Sequence, residues 1–303
     1  MGVPDHSAVF EFDFEVNPGR TMGRTSGKGA LGPVVYDGLD MWRAEDFRDG
    51  PASLRIRRLG HTVEVDAWGP GVEAAVAKVP GLVGASDDPS RLEPQDPVVE
   101  RWVKQFPHLR MTRTGTIWEH VIPTITSQKV PGPNARSAWQ GILRRWGRRP
   151  PGPVPASLLL PPASDVVAEV PYHEFHRFDL ERRRASVIVE CARRANRLEE
   201  AAAMEPTAAR RRLEAIRGMG PWSSGLIVML AHGDPDSLLI GDYQVPSFVA
   251  WHMAGQRRAT DDRMLELLEP YRGQRARVQA MAKAAGAPPR HGHRMALVDL
   301  KDR

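Results

Sequence analysis

The hydrophobic pattern divides the chain into a β-rich start and a helical remainder. "AVFEFDFEV" (8–16) alternates apolar and charged positions, Val9 aside, as a half-buried strand does. "SLRIRRLGHTVEVDAW" (53–68) gives two runs about a Leu-Gly-His break. Leu54 and Ile56, then Val63 and Val65, share a face, which predicts a hairpin. "GVEAAVAKVPGLVG" predicts a short helix ending at Pro80-Gly81. Between the strands, "GRTMGRTSGKG" (19–29) approximates a phosphate-binding glycine loop. Its spacing is one residue short and Gly29 stands where Ser or Thr would bind magnesium, so it reads as a flexible connection.

"ASDDPSRLEPQDP" (85–97) is a polar, proline-bearing boundary, and beyond it the pattern is helical to the end. Candidate helices cover 97–106, 117–129, 134–146, 164–170, 180–196, 207–216, 221–232, 243–254, 261–268 and 272–284. "RRPPGPVPASLLLPPAS" (148–164) interrupts them and is expected to run over the surface as a proline-rich linker. No period of about 20 to 50 residues recurs, which excludes a solenoid. The expected fold class is α+β. A smaller antiparallel β-rich domain (1–88) precedes a mostly α-helical domain (89–303), which ends in a basic tail (285–303).

Composition narrows the class. With 303 residues, 41% of them hydrophobic and 26% charged, the chain has the make-up of a globular protein with a sizeable core. It has no run of about 18 or more apolar residues to span a bilayer. The N-terminal stretch "MGVPDHSAVFEFDFEV" has no apolar signal-peptide core, and His6 breaks the myristoylation pattern. Cys191 stands alone, which rules out an internal disulfide, a four-cysteine iron–sulfur cluster and a cysteine zinc site within one chain. A cytoplasmic, nucleoid-associated monomer is the expectation.

The formal charge is +5. The arginines cluster at Arg144, Arg145, Arg148 and Arg149, at Arg182 to Arg184, at Arg193, Arg194 and Arg197, and at Arg210 to Arg212. Such clusters read either as solvated helix faces or as forks for phosphate oxygens. On the second reading, binding to a polyanion would weaken steeply with salt.

"LEAIRGMGPWSSGLIVMLA" holds two helices joined by Gly218-Met219-Gly220. Glycines admit unusual dihedrals and leave amides uncovered, and Pro221 suits the first turn of the second helix. Ser223, Ser224 and Gly225 keep that helix slim. The turn reads as an ordinary αα-hairpin or as an anion site made of backbone amides at a helix N-terminus. Asp242, in "LLIGDYQVPSF", caps the next helix on one reading. On the other it is a fixed carboxylate facing an oxocarbenium-like sugar, or holding a water, while an N-glycosidic bond breaks. Both readings can hold together.

"LEAIRGMGPWSS…GDYQV" resembles the signature of the helix-hairpin-helix DNA glycosylase superfamily. "DPSRLEPQDPVVERWVKQFPHLRMTRTGTIWEHVIPTITSQKV" and "LLEPYRGQRARV" are similar to stretches of its 3-methyladenine DNA glycosylase II branch. The resemblance covers roughly residues 82 to 283. It implies a helix-hairpin-helix core of two helical lobes, double-stranded DNA with damaged bases as partner, and hydrolytic release of a flipped, alkylated purine. The resemblance makes Asp242 the catalytic carboxylate. Gly218, Met219 and Gly220 would grip a phosphate, with Ser223 and Ser224 beside them, and hairpin carbonyls in relatives can hold a monovalent cation. Trp222, Tyr243 and Leu226 would line the base pocket. Gln128 and Lys129 would face the gap left by the extruded base.

Members of the superfamily that cut the backbone carry a nucleophilic lysine where Trp222 stands, so no lyase activity is expected. Leu226 and Ala280 fall where alkylpurine-specific members carry aromatics. A rival reading is a damage-binding protein that keeps the hairpin but needs no carboxylate at 242. Elsewhere, His173, Glu174 and His176 read as surface helix residues rather than metal ligands. His291 and His293 belong to the basic tail, and Asp234 and Asp236 read as turn residues.

Overall fold

A computed structural model describes residues 2–16, 31–38 and 40–289. The glycine-rich segment 19–29 and the end of the basic tail, with His291 and His293, lie outside the described residues.

The chain opens with β1 (His6–Glu11), β2 (Val34–Asp37), β3 (Asp40–Phe47), β4 (Gly50–Leu59) and β5 (Thr62–Trp68). They form one antiparallel sheet in the order β1-β5-β4-β3-β2. The expected hairpin is β4–β5, with Leu54 opposite Ala67 and Ile56 opposite Val65. Its two-residue turn begins at Gly60 with φ +68°, the position where a type II′ turn favours glycine. The expected alternation runs through Val16, with Phe10, Phe12 and Phe14 half-buried and Glu11, Asp13 and Glu15 exposed, although the hydrogen-bonded strand β1 stops at Glu11.

Strands β2 and β3 were not visible in the hydrophobic pattern. The sheet is covered on both faces, so β3 does not alternate between apolar and polar: Met41, Trp42, Arg43, Ala44 and Glu45 are all buried. One face packs Met41, Leu54, Ile56 and Val65 on α1 (Val72–Ala77) and α2 (Val79–Leu82). The other face packs Trp42, Ala44 and Trp68 on Val154, Leu158 and Leu160. Residues 148–164 are therefore not the surface linker expected from their prolines. Leu158 and Leu160 are fully buried and bridge to Gly32 and Arg148, and Ser53 Oγ donates to Pro151 O at 2.6 Å. Apolar side chains between the prolines dock the segment onto the sheet.

The helical part contains α3 (Pro97–Gln105), α4 (Trp118–Thr126), α5 (Gly132–Trp146), α6 (Ser164–Ala168), α7 (Tyr172–His176), α8 (Arg182–Arg193) and α9 (Ala195–Glu199). It continues with α10 (Pro206–Glu214), α11 (Pro221–His232), α12 (Val245–Ala254), α13 (Asp261–Leu268) and α14 (Arg275–Ala285). The 180–196 expectation resolves into α8 and α9, and α7 was too short to register a period.

Two separate cores make two lobes. One joins α4, α5, α8 and α10 through residues such as Ile122, Ile142, Ile188 and Leu213. The other joins α3 with α12, α13 and α14 through Trp102, Val249, Leu268 and Val278. α11 serves both lobes: Ile227, Val228 and Ala231 enter the first core, while Trp222, Leu226 and Met229 pack against the second. A helix wedged between two cores is apolar all round, which is how its sequence reads.

Buried ion pairs join the sheet to the lobes. Arg43 of β3 forks onto Glu119 of α4, with Nη1 to Oε1 at 3.0 Å and Nη2 to Oε2 at 2.5 Å, and also reaches Glu45 at 2.8 Å. Lys78 pairs with Glu45 from the far side. Arg277, with no exposed surface, pairs with Asp87 and donates to Leu109 O at 3.1 Å, tying α14 to the segment that leaves the sheet domain.

Candidate active site at the hairpin and the inter-lobe cavity

Between α10 and α11 the chain turns through Gly218, Met219 and Gly220. Gly218 has φ +100°, and a Cβ there would lie 2.5 Å from Val187 Cγ2, so both dihedral and space require glycine. Met219 is buried in the first core, so only its backbone is available at the turn. The Gly220 amide meets no acceptor among the described residues, and Pro221 opens α11 without an amide. The result is a helix N-terminus with backbone donors and no acid in its first turn, the local arrangement that suits an anion.

The neighbouring residues differ from expectation. Ser223 and Ser224 are buried at 2% and 0% exposure, and Ser224 Oγ donates to Glu214 Oε1 at 2.5 Å. Their side chains lock the helix pair internally and are not presented to DNA. Gln128 follows α4 and reaches back to the hairpin, its Nε2 donating to Gly218 O at 3.1 Å and to Ser223 Oγ at 2.9 Å. It thereby braces the turn, and the Gly218 carbonyl spends one of its two lone pairs on this contact. Lys129, next along, is exposed and holds φ +55°, a left-handed conformation that costs a non-glycine residue energy and recurs at functional loops.

Asp242 lies between α11 and α12. Its Oδ1 accepts the amides of Gln244 at 2.8 Å and Val245 at 2.9 Å, which is the expected cap. Its Oδ2 accepts the indole N–H of Trp222 at 2.8 Å. The capping and oriented-carboxylate readings thus coexist in one residue. A carboxylate has about four lone-pair sites. Three are occupied here, and the free one on Oδ2 can meet a water or a cation. α12 begins at Val245 rather than 243 because the cap consumes Asp242 to Gln244. That cap turns Tyr243 outward: it is 91% exposed and does not line the cavity, contrary to its expected place in a base pocket.

A cavity of about 710 Å³ opens between the lobes and the sheet, and Asp242 is not one of its lining residues. Val245, whose amide holds Asp242, is on its wall, and so is Leu226, one turn along α11 from Trp222. Trp222 itself is not a lining residue; its ring supports Asp242 and packs on the second core. Ala280, Gln279 and Leu239 line the second lobe's side, and Trp139 and His120 the first lobe's. His120 is buried, and its pKa is driven down to about 4 by loss of solvent, so it is neutral and shares a 2.7 Å hydrogen bond with Thr114 Oγ1. Burial opposes the charge on Glu119 too, but Arg43 outweighs it and holds the carboxyl below its usual range. Sequence reasoning missed Arg43, His120 and Gln279, which carry no motif and meet only through the fold.

The arginine clusters do not form one open patch. Arg184 is buried, donating to Thr126 O and Asp179 O, and Arg148 pairs with Asp46. Arg212 pairs with Glu200 and Arg194 with Glu190. His173, Glu174 and His176 pair with local partners, and no group of three or more His, Cys, Asp or Glu among the described residues could hold a metal. Asp236 does more than make its turn: it forks onto Arg275 of α14. No helix among the described residues is long and apolar enough to cross a membrane.

No protein-family model and no curated protein sequence matches this chain. Solved structures do. The 3-methyladenine DNA-glycosylase from Archaeoglobus fulgidus superposes with a TM-score of 0.78 at 18% identity, over 92% of this chain and 100% of that one. The Clostridium acetobutylicum 8-oxoguanine glycosylase/lyase, in its apo-form, gives 0.69 at 12% identity over 92% and 96%. The Schizosaccharomyces pombe 3-methyladenine DNA glycosylase gives 0.53 at 16% over 65% and 95%. These likenesses span two lesion specificities and single out neither. The chain thus shares the fold of these DNA glycosylases, a small N-terminal antiparallel sheet followed by a helical core.

Proposed function

We propose that the protein is a monofunctional DNA glycosylase that hydrolyses the N-glycosidic bond of a damaged base in duplex DNA and leaves an abasic site. The observation that carries this reading is the Asp242 carboxylate. It is fixed by two backbone amides and an indole N–H; one amide donor, Val245, lines a cavity large enough for a base, and the indole donor, Trp222, stands in the first turn of α11 just after the glycine hairpin. The hairpin amides hold a phosphate, the duplex bends, and the damaged nucleotide swings into the cavity.

As the bond from C1′ to the base nitrogen breaks, its electron pair leaves with the base and positive charge gathers on the sugar. Asp242, kept in place by donors that need no rearrangement, stabilises that charge. Water then bonds to C1′, its proton passing to Asp242 and on to solvent. Trp222 supplies no amine, so no covalent imine forms and the backbone stays intact. Duplex DNA is the partner, a monomer the working unit, and no cofactor enters the chemistry.

The test is release of free base from damaged duplex, with Asp242→Asn alongside. The proposal expects abasic sites that break only on heating or in alkali. Release that survives Asp242→Asn unchanged, or a borohydride-trapped protein–DNA adduct, would contradict it. Lesion binding without release would favour a damage-binding protein.

A further inference from the structure

We propose that the inter-lobe cavity selects a neutral, carbonyl-bearing base, hydrogen-bonded by Gln279, and discriminates against bases that carry positive charge. That its occupant is a damaged base rests on the glycosylase reading above. Gln279, on α14, is only 4% exposed and lines the cavity. Its Oε1 accepts the Leu239 amide at 3.4 Å. A backbone N–H can be met only by the oxygen end of a carboxamide, so this contact fixes the orientation of the side chain. The NH2 end, Nε2, is buried without a partner.

Arg43, on the sheet side, also lines the cavity. Its two Nη groups are committed to Glu119 and Glu45, while Nε is buried and unmet. No other lining residue has a buried unmet side-chain atom, and both of these are donors. Buried polar groups are rarely left unpaired, and a pocket that leaves only donors unpaired asks for an acceptor.

Charge points the same way. Arg43, Arg110, Arg136 and Lys283 line the cavity against a single carboxylate, Glu119, which Arg43 already occupies. A purine alkylated at N3 or N7 is cationic while attached to its sugar, and it would bring like charge into a partly desolvated, positive cavity. Among the described residues the second lobe's side carries no aromatic to attract such a cation, since Leu226, Leu239 and Ala280 stand there, and Trp139 is the one Phe, Tyr or Trp on the lining. A neutral base with a carbonyl edge meets the free donors and avoids the repulsion.

The experiment compares base release from duplexes of one sequence carrying a single hypoxanthine, 8-oxoguanine or 7-methylguanine, by the wild type and by Gln279→Glu. Glutamate can still accept from Leu239 N but turns an acceptor into the cavity. The wild type is expected to release a carbonyl-bearing neutral base at least about tenfold faster than 7-methylguanine, and Gln279→Glu to lose or reverse that preference. A Gln279→Met variant, lacking polarity, should release the neutral bases more slowly, while the basic walls keep part of the preference against 7-methylguanine and do not let it reverse. Faster release of 7-methylguanine by the wild type, or a preference unmoved in Gln279→Glu, overturns the proposal.

Titration with free hypoxanthine, read by tryptophan fluorescence since Trp139 lines the cavity, reports the site without chemistry. Binding by the wild type that is at least about tenfold weaker in Gln279→Glu supports the assignment even if no duplex is processed. That combination would sink the glycosylase reading alone.

Discussion

At Asp242 two structural duties meet in one carboxylate: one oxygen caps α12 and the other holds the Trp222 indole. Replacing the indole by an aromatic ring that cannot donate, as in Trp222→Phe, should slow base release about 10- to 100-fold, with a smaller effect on thermal unfolding. Single-turnover kinetics paired with a melting curve would check this, and a stability loss matching the rate loss would count against it. His120 makes a pH prediction. Its pKa is lowered from 6.5 to about 4, so the unfolded chain binds a proton that the folded one refuses. Its stabilising contribution is full above about pH 6.5 and is lost as pH falls towards 4, and His120→Gln should flatten unfolding free energy over that window. The sequence exposed Asp242 and Trp222 through their spacing and the flanking glycines. It could not show that the indole donates to the carboxylate, nor that His120 and Gln279 share a cavity, since those contacts join residues distant in the chain.

At the level of elements, the hairpin between α10 and α11 packs closely on α8 only because position 218 is glycine. Gly218→Ala combines a left-handed dihedral with a 2.5 Å contact to Val187 and should cost about 1–3 kcal/mol in chemical denaturation. DNA affinity should fall as well. Gln128→Ala removes the brace on Gly218 O and Ser223 Oγ, and should weaken DNA binding more than it weakens the fold. Affinity measured at two salt concentrations beside a melting curve separates the two effects. Helices bounded by clear turn and cap residues were legible within a few residues, α11 and α13 among them. β3 was not, because Arg43 and Glu45 sit buried in ion pairs that read as surface charge in a one-dimensional pattern. The 148–164 segment misled for the opposite reason: its prolines signal a linker, while Leu158 and Leu160 between them are core.

Over the whole molecule, the sheet domain is part of the site's wall and not an appendage. Arg43 both anchors it to α4 and lines the cavity. Arg43→Met would leave Glu45 and Glu119 buried with Lys78 as their main cation, and should cost about 3–5 kcal/mol in unfolding experiments. With many clustered arginines held in internal pairs, phosphate contact falls to the hairpin amides and the remaining basic side chains. The central claim is that one oriented carboxylate drives scission of the base–sugar bond. It is tested most directly by single-turnover release of a damaged base from duplex DNA by the wild type and by Asp242→Asn. The account expects a rate lower by about 10²- to 10³-fold in the variant with duplex affinity preserved. Equal rates in the two proteins would contradict it.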